Sequence, residues 1–130
     1  MIKFLNKYKI IFYLINCFII FLYLFPGSVY GCIFLSDCSI QPQITQDLAL
    51  ISSNHFYAFF VLSVTGYLTY IKKIHINYLI IYLFLVAIVL EILHLIIPER
   101  SFQLADLFGN LIGVIILIII NYFSKTNENY

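Results

Sequence analysis

Apolar residues gather into four long blocks, Ile10–Phe25, His55–Ile71, Ile76–Ile97 and Leu104–Phe123, set apart by polar or charged connections. A helix needs roughly 20 residues to cross a bilayer core of about 30 Å. The third and fourth blocks reach that length directly. The first reaches it when Tyr8 and Lys9 snorkel to the interface, and the second when its helix starts a residue or two before His55. Strands are excluded as spans, because four short blocks cannot close a barrel and lipid leaves an open sheet edge unsatisfied. The pattern therefore predicts an all-α protein, an integral membrane four-helix bundle forming a single domain. Its helices fall at about 8–25, 54–71, 76–97 and 104–123, with an external loop over 26–53.

Composition strengthens this picture. Of 130 residues, 63% are hydrophobic and 10% charged, a ratio no water-soluble surface tolerates. The net charge of +1 matters less than its distribution. Lys3, Lys7 and Lys9 precede the first block, Lys72 and Lys73 lie between the second and third, and Lys125 follows the fourth. The other connections carry only Arg100 as a basic residue. The positive-inside rule then places both termini in the cytoplasm. No basic run with interleaved aromatics is present, so nucleic acid is not an expected partner. The lipid bilayer is.

Pro26-Gly27 is a turn signal that opens the external segment, and Asp37, Asp47 and several amides follow. Lysines, an apolar run and Val29-Tyr30-Gly31-Cys32 loosely resemble a lipoprotein signal ending at a lipidated cysteine. The run is long for such a signal and Tyr30 is bulky for a cleavage neighbourhood, so an uncleaved anchor is expected. Cys17 falls within the first helix as a small apolar filler. Cys32 and Cys38 share the external loop; they either close a small ring in an oxidising compartment or stand as unrelated thiols. No His or Cys grouping has structural zinc spacing, so no metal is expected, and nothing implies a cofactor.

Charges inside spans are costly, about 2.5–3.5 kcal/mol each on insertion scales. Glu91 lies well within the third block, and His94 follows three residues on, on the same helix face. The connection adds Glu99 and Arg100. On the fourth helix Asp106, Asn110 and Gly113 form one stripe. The third helix runs outward and the fourth inward, so Glu91, His94, Arg100, Asp106 and Asn110 share the outer layer, and His55 opens the second helix at that level. These six are the candidate functional cluster. Arg100 is expected to pair with Glu91 or Asp106, since pairing lowers the cost of burial. In the plainer account Asn110 is hydrogen-bonded glue between helices and Gly113 permits close packing.

The stretch EILHLIIPERSFQLADLFGNLIGV (91–114) resembles the signature of the VanZ-like membrane protein family. Glu91, Pro98, Arg100, Asp106, Asn110 and Gly113 fill the signature positions in order, and His55-Phe56 resembles the opening of that family's second helix. The resemblance spans about His55 to Ile120. His94 stands where Gln is usual, Glu99 where Gly is common, and Ile51-Ser52 where an Asp-Lys pair is often found. It implies a multi-pass protein of the bacterial cytoplasmic membrane with a role at the cell envelope. The family's founding member is associated with resistance to glycopeptide antibiotics such as teicoplanin, and no reaction is implied.

Two functions are expected to compete. In one, the polar layer binds or modifies an amphipathic molecule at the outer leaflet, such as a lipid-linked envelope intermediate. Arg100 would then hold an anionic group, and Glu91 with His94 would exchange a proton. In the other, the chain is a non-catalytic subunit whose polar layer holds helices or docks a partner. Proton-coupled transport has little to build on, with no repeat and no pair of broken helices.

Overall fold

The computed structural model describes residues 2–70 and 75–127, with side chains over 8–70 and 75–124. Four α-helices carry the chain: α1 (Ile2–Leu24), α2 (Ser53–Tyr70), α3 (Ile76–Leu93) and α4 (Leu104–Asn127), with a short π-helix at Gly31–Leu35 in the long loop. Among the described residues no strand forms; Leu48 and Ile51 only exchange backbone hydrogen bonds across a tight turn. Lys72 and Lys73, used above to orient the chain, lie outside the described residues, as does the predicted end of the second helix at Ile71.

The predicted boundaries differ most at α3. It stops at Leu93, four residues before the predicted end, and His94, Leu95 and Ile96 turn back by bonds to carbonyls three residues earlier. Pro98 explains the early stop. Proline disfavours helical geometry in the residue before it and offers no N–H, so the last turn tightens before the chain leaves. Glu99 then takes a left-handed backbone, φ 58°, which swings the chain round into α4.

α2 lies at the centre of the bundle. Phe59, Leu62, Ser63 and Thr69 are all buried. Thr65 and Thr69 return their hydroxyls to carbonyls of their own helix, so they add no unsatisfied polar group to the core. The closest packing is between α2 and α4, through Gly109 and Gly113. A Cβ on Gly113 would stand 2.8 Å from Phe59 Cβ and from the Phe60 nitrogen, and one on Gly109 2.6 Å from the Ser52 carbonyl. Two small residues four apart let the backbones touch, as in membrane helix pairs. Phe59, Leu62, Val114 and Leu117 fill the rest of that seam.

The outward surface is apolar. Ile10, Leu14, Phe18 and Phe21 on α1, Leu85, Val89 and Ile92 on α3, and Ile119, Tyr122 and Phe123 on α4 are exposed. By length and composition Ile76–Leu93 and Leu104–Ser124 suffice to cross a membrane, and Tyr8–Leu24 is apolar but shorter. α2 falls in neither group; Ser53, Asn54, His55, Ser63, Thr65 and Thr69 make it the more polar helix by composition.

The loop after α1 is held down by its own polar groups. Gly27 adopts φ 71°, a conformation favouring glycine, where the Ser28 N–H donates to the Cys38 carbonyl at 2.7 Å. Cys32 and Cys38 are joined, their sulfurs 2.03 Å apart. The Asp37 carboxylate accepts from the Ser39 hydroxyl at 2.7 Å and the Ser39 N–H at 2.9 Å, which holds it below the usual carboxylate range. Asp47 accepts from the Ser53 N–H at 2.7 Å, satisfying a free donor at the start of α2. Asn54 bridges Ile44 and Pro42, and the Ser52 N–H reaches the Ala105 carbonyl at the start of α4. The loop is thereby fastened over the end of the bundle where α1 stops and α4 starts.

Candidate functional site

Beneath that loop five of the six predicted polar residues meet. Glu91, fully buried on the last turn of α3, places Oε1 3.4 Å from His94 Nδ1 and Oε2 3.7 Å from His55 Nδ1. Asp106, in the first turn of α4 where the helix dipole favours an acid, places Oδ2 3.5 Å from His55 Nε2. Asn110, one turn further along, donates to the Ala87 carbonyl of α3 at 3.4 Å. Glu91 Oε1 also accepts from the Gln103 N–H at 3.1 Å. Its Oε2 is buried with no hydrogen-bond partner.

The hub of the cluster is a residue absent from the sequence-based set. Tyr23, on the last turn of α1, donates its hydroxyl proton to Asn110 Oδ1 at 2.6 Å, and the same oxygen lies 3.0 Å from His55 Nδ1. Its carbonyl lies 3.2 Å from His94 Nε2, and its ring stacks on that of His94 at 5.6 Å. The signal was available in its depth: Tyr23 lies two residues before the end of the first block, at the level of the polar layer. Read as an apolar run with a basic prefix, that block drew no attention to its tyrosines.

Arg100 departs from expectation. Among the described residues it has no carboxylate within ion-pair distance. It donates instead from Nη2 to the Leu22 carbonyl at 2.9 Å and from Nε to the Phe25 carbonyl at 3.3 Å. The reason is the end of α1, whose last carbonyls have no intrahelical partner and carry the negative end of the helix dipole. A guanidinium with several donors satisfies two of them at once, while the histidines face the carboxylates. The sequence spacing did not distinguish these partners, because α1 is distant in the chain.

Two cavities flank the cluster and share a wall. One, of about 540 Å³, is a largely apolar cleft between α1 and α2 lined by Phe18, Leu22, Tyr57, Ala58 and Val61 among others. The second, of about 310 Å³, is polar and lies under the loop, lined by Asp47, Ser52, Ser101, Gln103 and Asp106 among others. His55, His94, Arg100, Asn54 and Gln41 border both. No protein-family model matches this chain, and no curated protein or solved structure matches it either. The chemistry of the site is therefore judged from its own residues.

Proposed function

We propose that this chain is a multi-pass protein of the bacterial cytoplasmic membrane, VanZ-like, that binds an amphipathic anionic molecule at the outer leaflet. The observation that carries the reading is the shared wall between an apolar cleft and a polar cavity, with Arg100 and two histidines on the boundary. A ligand with an apolar chain would lie in the cleft between α1 and α2, its headgroup turned inward over Arg100. Pockets of this kind pair an apolar lining with a few convergent polar groups. In this reading all four helices span, both termini face the cytoplasm, and the loop over 26–53 covers the site from outside. The apolar belt on α1, α3 and α4 supports it. Where the bound molecule is also modified, His94, which borders both cavities, is the group placed to exchange a proton with it, backed by Glu91 at 3.4 Å. The link to glycopeptide resistance belongs to the same proposal, resting on the resemblance of 91–114.

A second reading is favoured by the Tyr23–Asn110 hydrogen bond, which ties α1 to α4 and would suit a non-catalytic subunit held together by its polar layer. Native mass spectrometry of the purified chain with phosphatidylglycerol and phosphatidylcholine separates the two. Preferential retention of phosphatidylglycerol, lost in Val61→Trp, which fills the apolar cleft, is expected from ligand binding. Equal, weak retention of both lipids would leave the subunit reading. Labelling with a membrane-impermeant thiol reagent, positive at Ser39→Cys and negative at Ser124→Cys in intact cells, is expected from the topology. A deletion strain compared with its parent for teicoplanin susceptibility tests the resistance link.

A further inference from the structure

The hydrogen bonds around Tyr23 constrain where the protons on the two histidines sit. A tyrosine hydroxyl has one proton, and Tyr23 directs it to Asn110 Oδ1 at 2.6 Å. The amide is held in that sense because its nitrogen donates to the Ala87 carbonyl. The Tyr23 oxygen must therefore accept from His55 Nδ1–H at 3.0 Å. In a neutral ring His55 Nε2 is then a bare lone pair, and it faces Asp106 Oδ2 at 3.5 Å. His94 repeats the arrangement. Its Nε2 meets the Tyr23 carbonyl, which can only accept, so its Nδ1 carries the lone pair, and that lone pair faces Glu91 Oε1 at 3.4 Å.

A lone pair facing a carboxylate oxygen is joined to it only by positive charge between them, a proton or a metal cation. Arg100 does not supply it by contact, being bonded to the carbonyls of Leu22 and Phe25. Glu91 Oε2, fully buried and without a hydrogen-bond partner, points the same way, since a buried unpartnered carboxylate oxygen is expensive. One ligand atom from each of His55, Glu91 and Asp106 lies within 4.8 Å of the other two.

We propose that His55, Glu91 and Asp106 bind a divalent transition-metal cation of the zinc class, with the Glu91 carboxylate turning from its place 3.7 Å from His55 Nδ1 toward the Nε2 side that faces Asp106. Imidazole with two carboxylates is a donor set suited to such an ion. A four-coordinate site with bonds of about 2.1 Å spaces its ligands about 3.4 Å apart, so atoms now within 4.8 Å of one another close by up to about 1.4 Å through side-chain rotation. His55 and Asp106 border the polar cavity, which leaves a fourth position open toward it, the arrangement of catalytic rather than structural zinc. Tyr23 is then the outer group that fixes the His55 tautomer. The absence of local zinc spacing in the sequence does not bear on this site, because its ligands come from three helices. The inference does not depend on what occupies the apolar cleft.

The test uses the full-length, tag-free chain in mild detergent, stripped with chelator and dialysed against Zn²⁺ or Co²⁺ alone. One equivalent of tightly held Zn²⁺ by elemental analysis is expected, together with visible Co²⁺ bands of a four-coordinate nitrogen and oxygen site. Asp106→Asn, isosteric and only partly buried, should lower affinity at least tenfold while the helical circular dichroism is unchanged. Tyr23→Phe should lower it by about 10- to 100-fold through the outer group. His55→Gln should abolish binding. Sub-stoichiometric metal in the wild-type chain, or equal binding by wild type, Asp106→Asn and His55→Gln, would overturn the proposal.

Discussion

Replacing Gly113 with alanine should loosen the bundle, whereas the same change at Gly66 should not. Both residues are helical, and both gain about 1 kcal/mol of helix propensity from the substitution. What differs is the neighbour. At Gly113 the new methyl would stand 2.8 Å from Phe59 Cβ and the Phe60 nitrogen and 2.9 Å from the Phe59 carbonyl carbon, atoms that move only with α2 itself. Ordinary carbon contact lies near 3.5–4.0 Å, so α4 must retreat by about 0.7–1.2 Å along a seam where Phe59, Leu62, Val114 and Leu117 are buried. A gap of that width forfeits a quarter to a half of the attraction across it, and overpacking typically costs about 1–3 kcal/mol. At Gly66 the nearest atoms, at 3.0–3.1 Å, are the tips of Leu79 and Phe12, which can turn aside. Gly113→Ala should thus be less stable than Gly66→Ala by about 1–3 kcal/mol. The measurement is reversible unfolding in mixed micelles followed by circular dichroism. Gly109→Ala, facing the Ser52 carbonyl at 2.6 Å, should fall with Gly113→Ala. Equal stability of the Gly66 and Gly113 variants, within a few tenths of a kcal/mol, would refute a backbone-to-backbone seam.

Other outcomes follow from single contacts. Without reductant, thiol alkylation should modify only Cys17 of the three cysteines, rising to three with reductant; three without it would exclude the Cys32–Cys38 bond. Arg100→Gln should destabilise by roughly 1.5–3 kcal/mol, the worth of a charged donor at the end of α1. A double-mutant cycle should couple Glu91→Gln more strongly with His94→Gln than with Arg100→Gln, and the reverse order would restore the Arg–Glu pair. Glu99→Gly should raise stability by about 1 kcal/mol, because φ 58° strains a residue with a side chain; a loss of stability would indicate a role for the Glu99 carboxylate.

The all-α character and the approximate positions of the four α-helices were legible along the chain, because long hydrophobic blocks in a chain 63% hydrophobic favour helices; the π-helix at Gly31–Leu35 was not. The depth of the polar layer was legible too, since antiparallel succession of α3 and α4 brings Glu91, His94, Asp106 and Asn110 to one level. Pairing was not. Depth assigns a residue to a layer and leaves its direction around the helix open, so whether Arg100 met a carboxylate or the end of α1 turned on how α1 packs. Tyr23 joined the cluster for the same reason, as did the close approach at Gly109 and Gly113. Local spacing decides which groups can share a helix face, but a site built from α1, α2, α3 and α4 exists only once those faces have been rotated into contact. That rotation is set by side-chain volume along the seams, with the α2–α4 backbone contact as its tightest point.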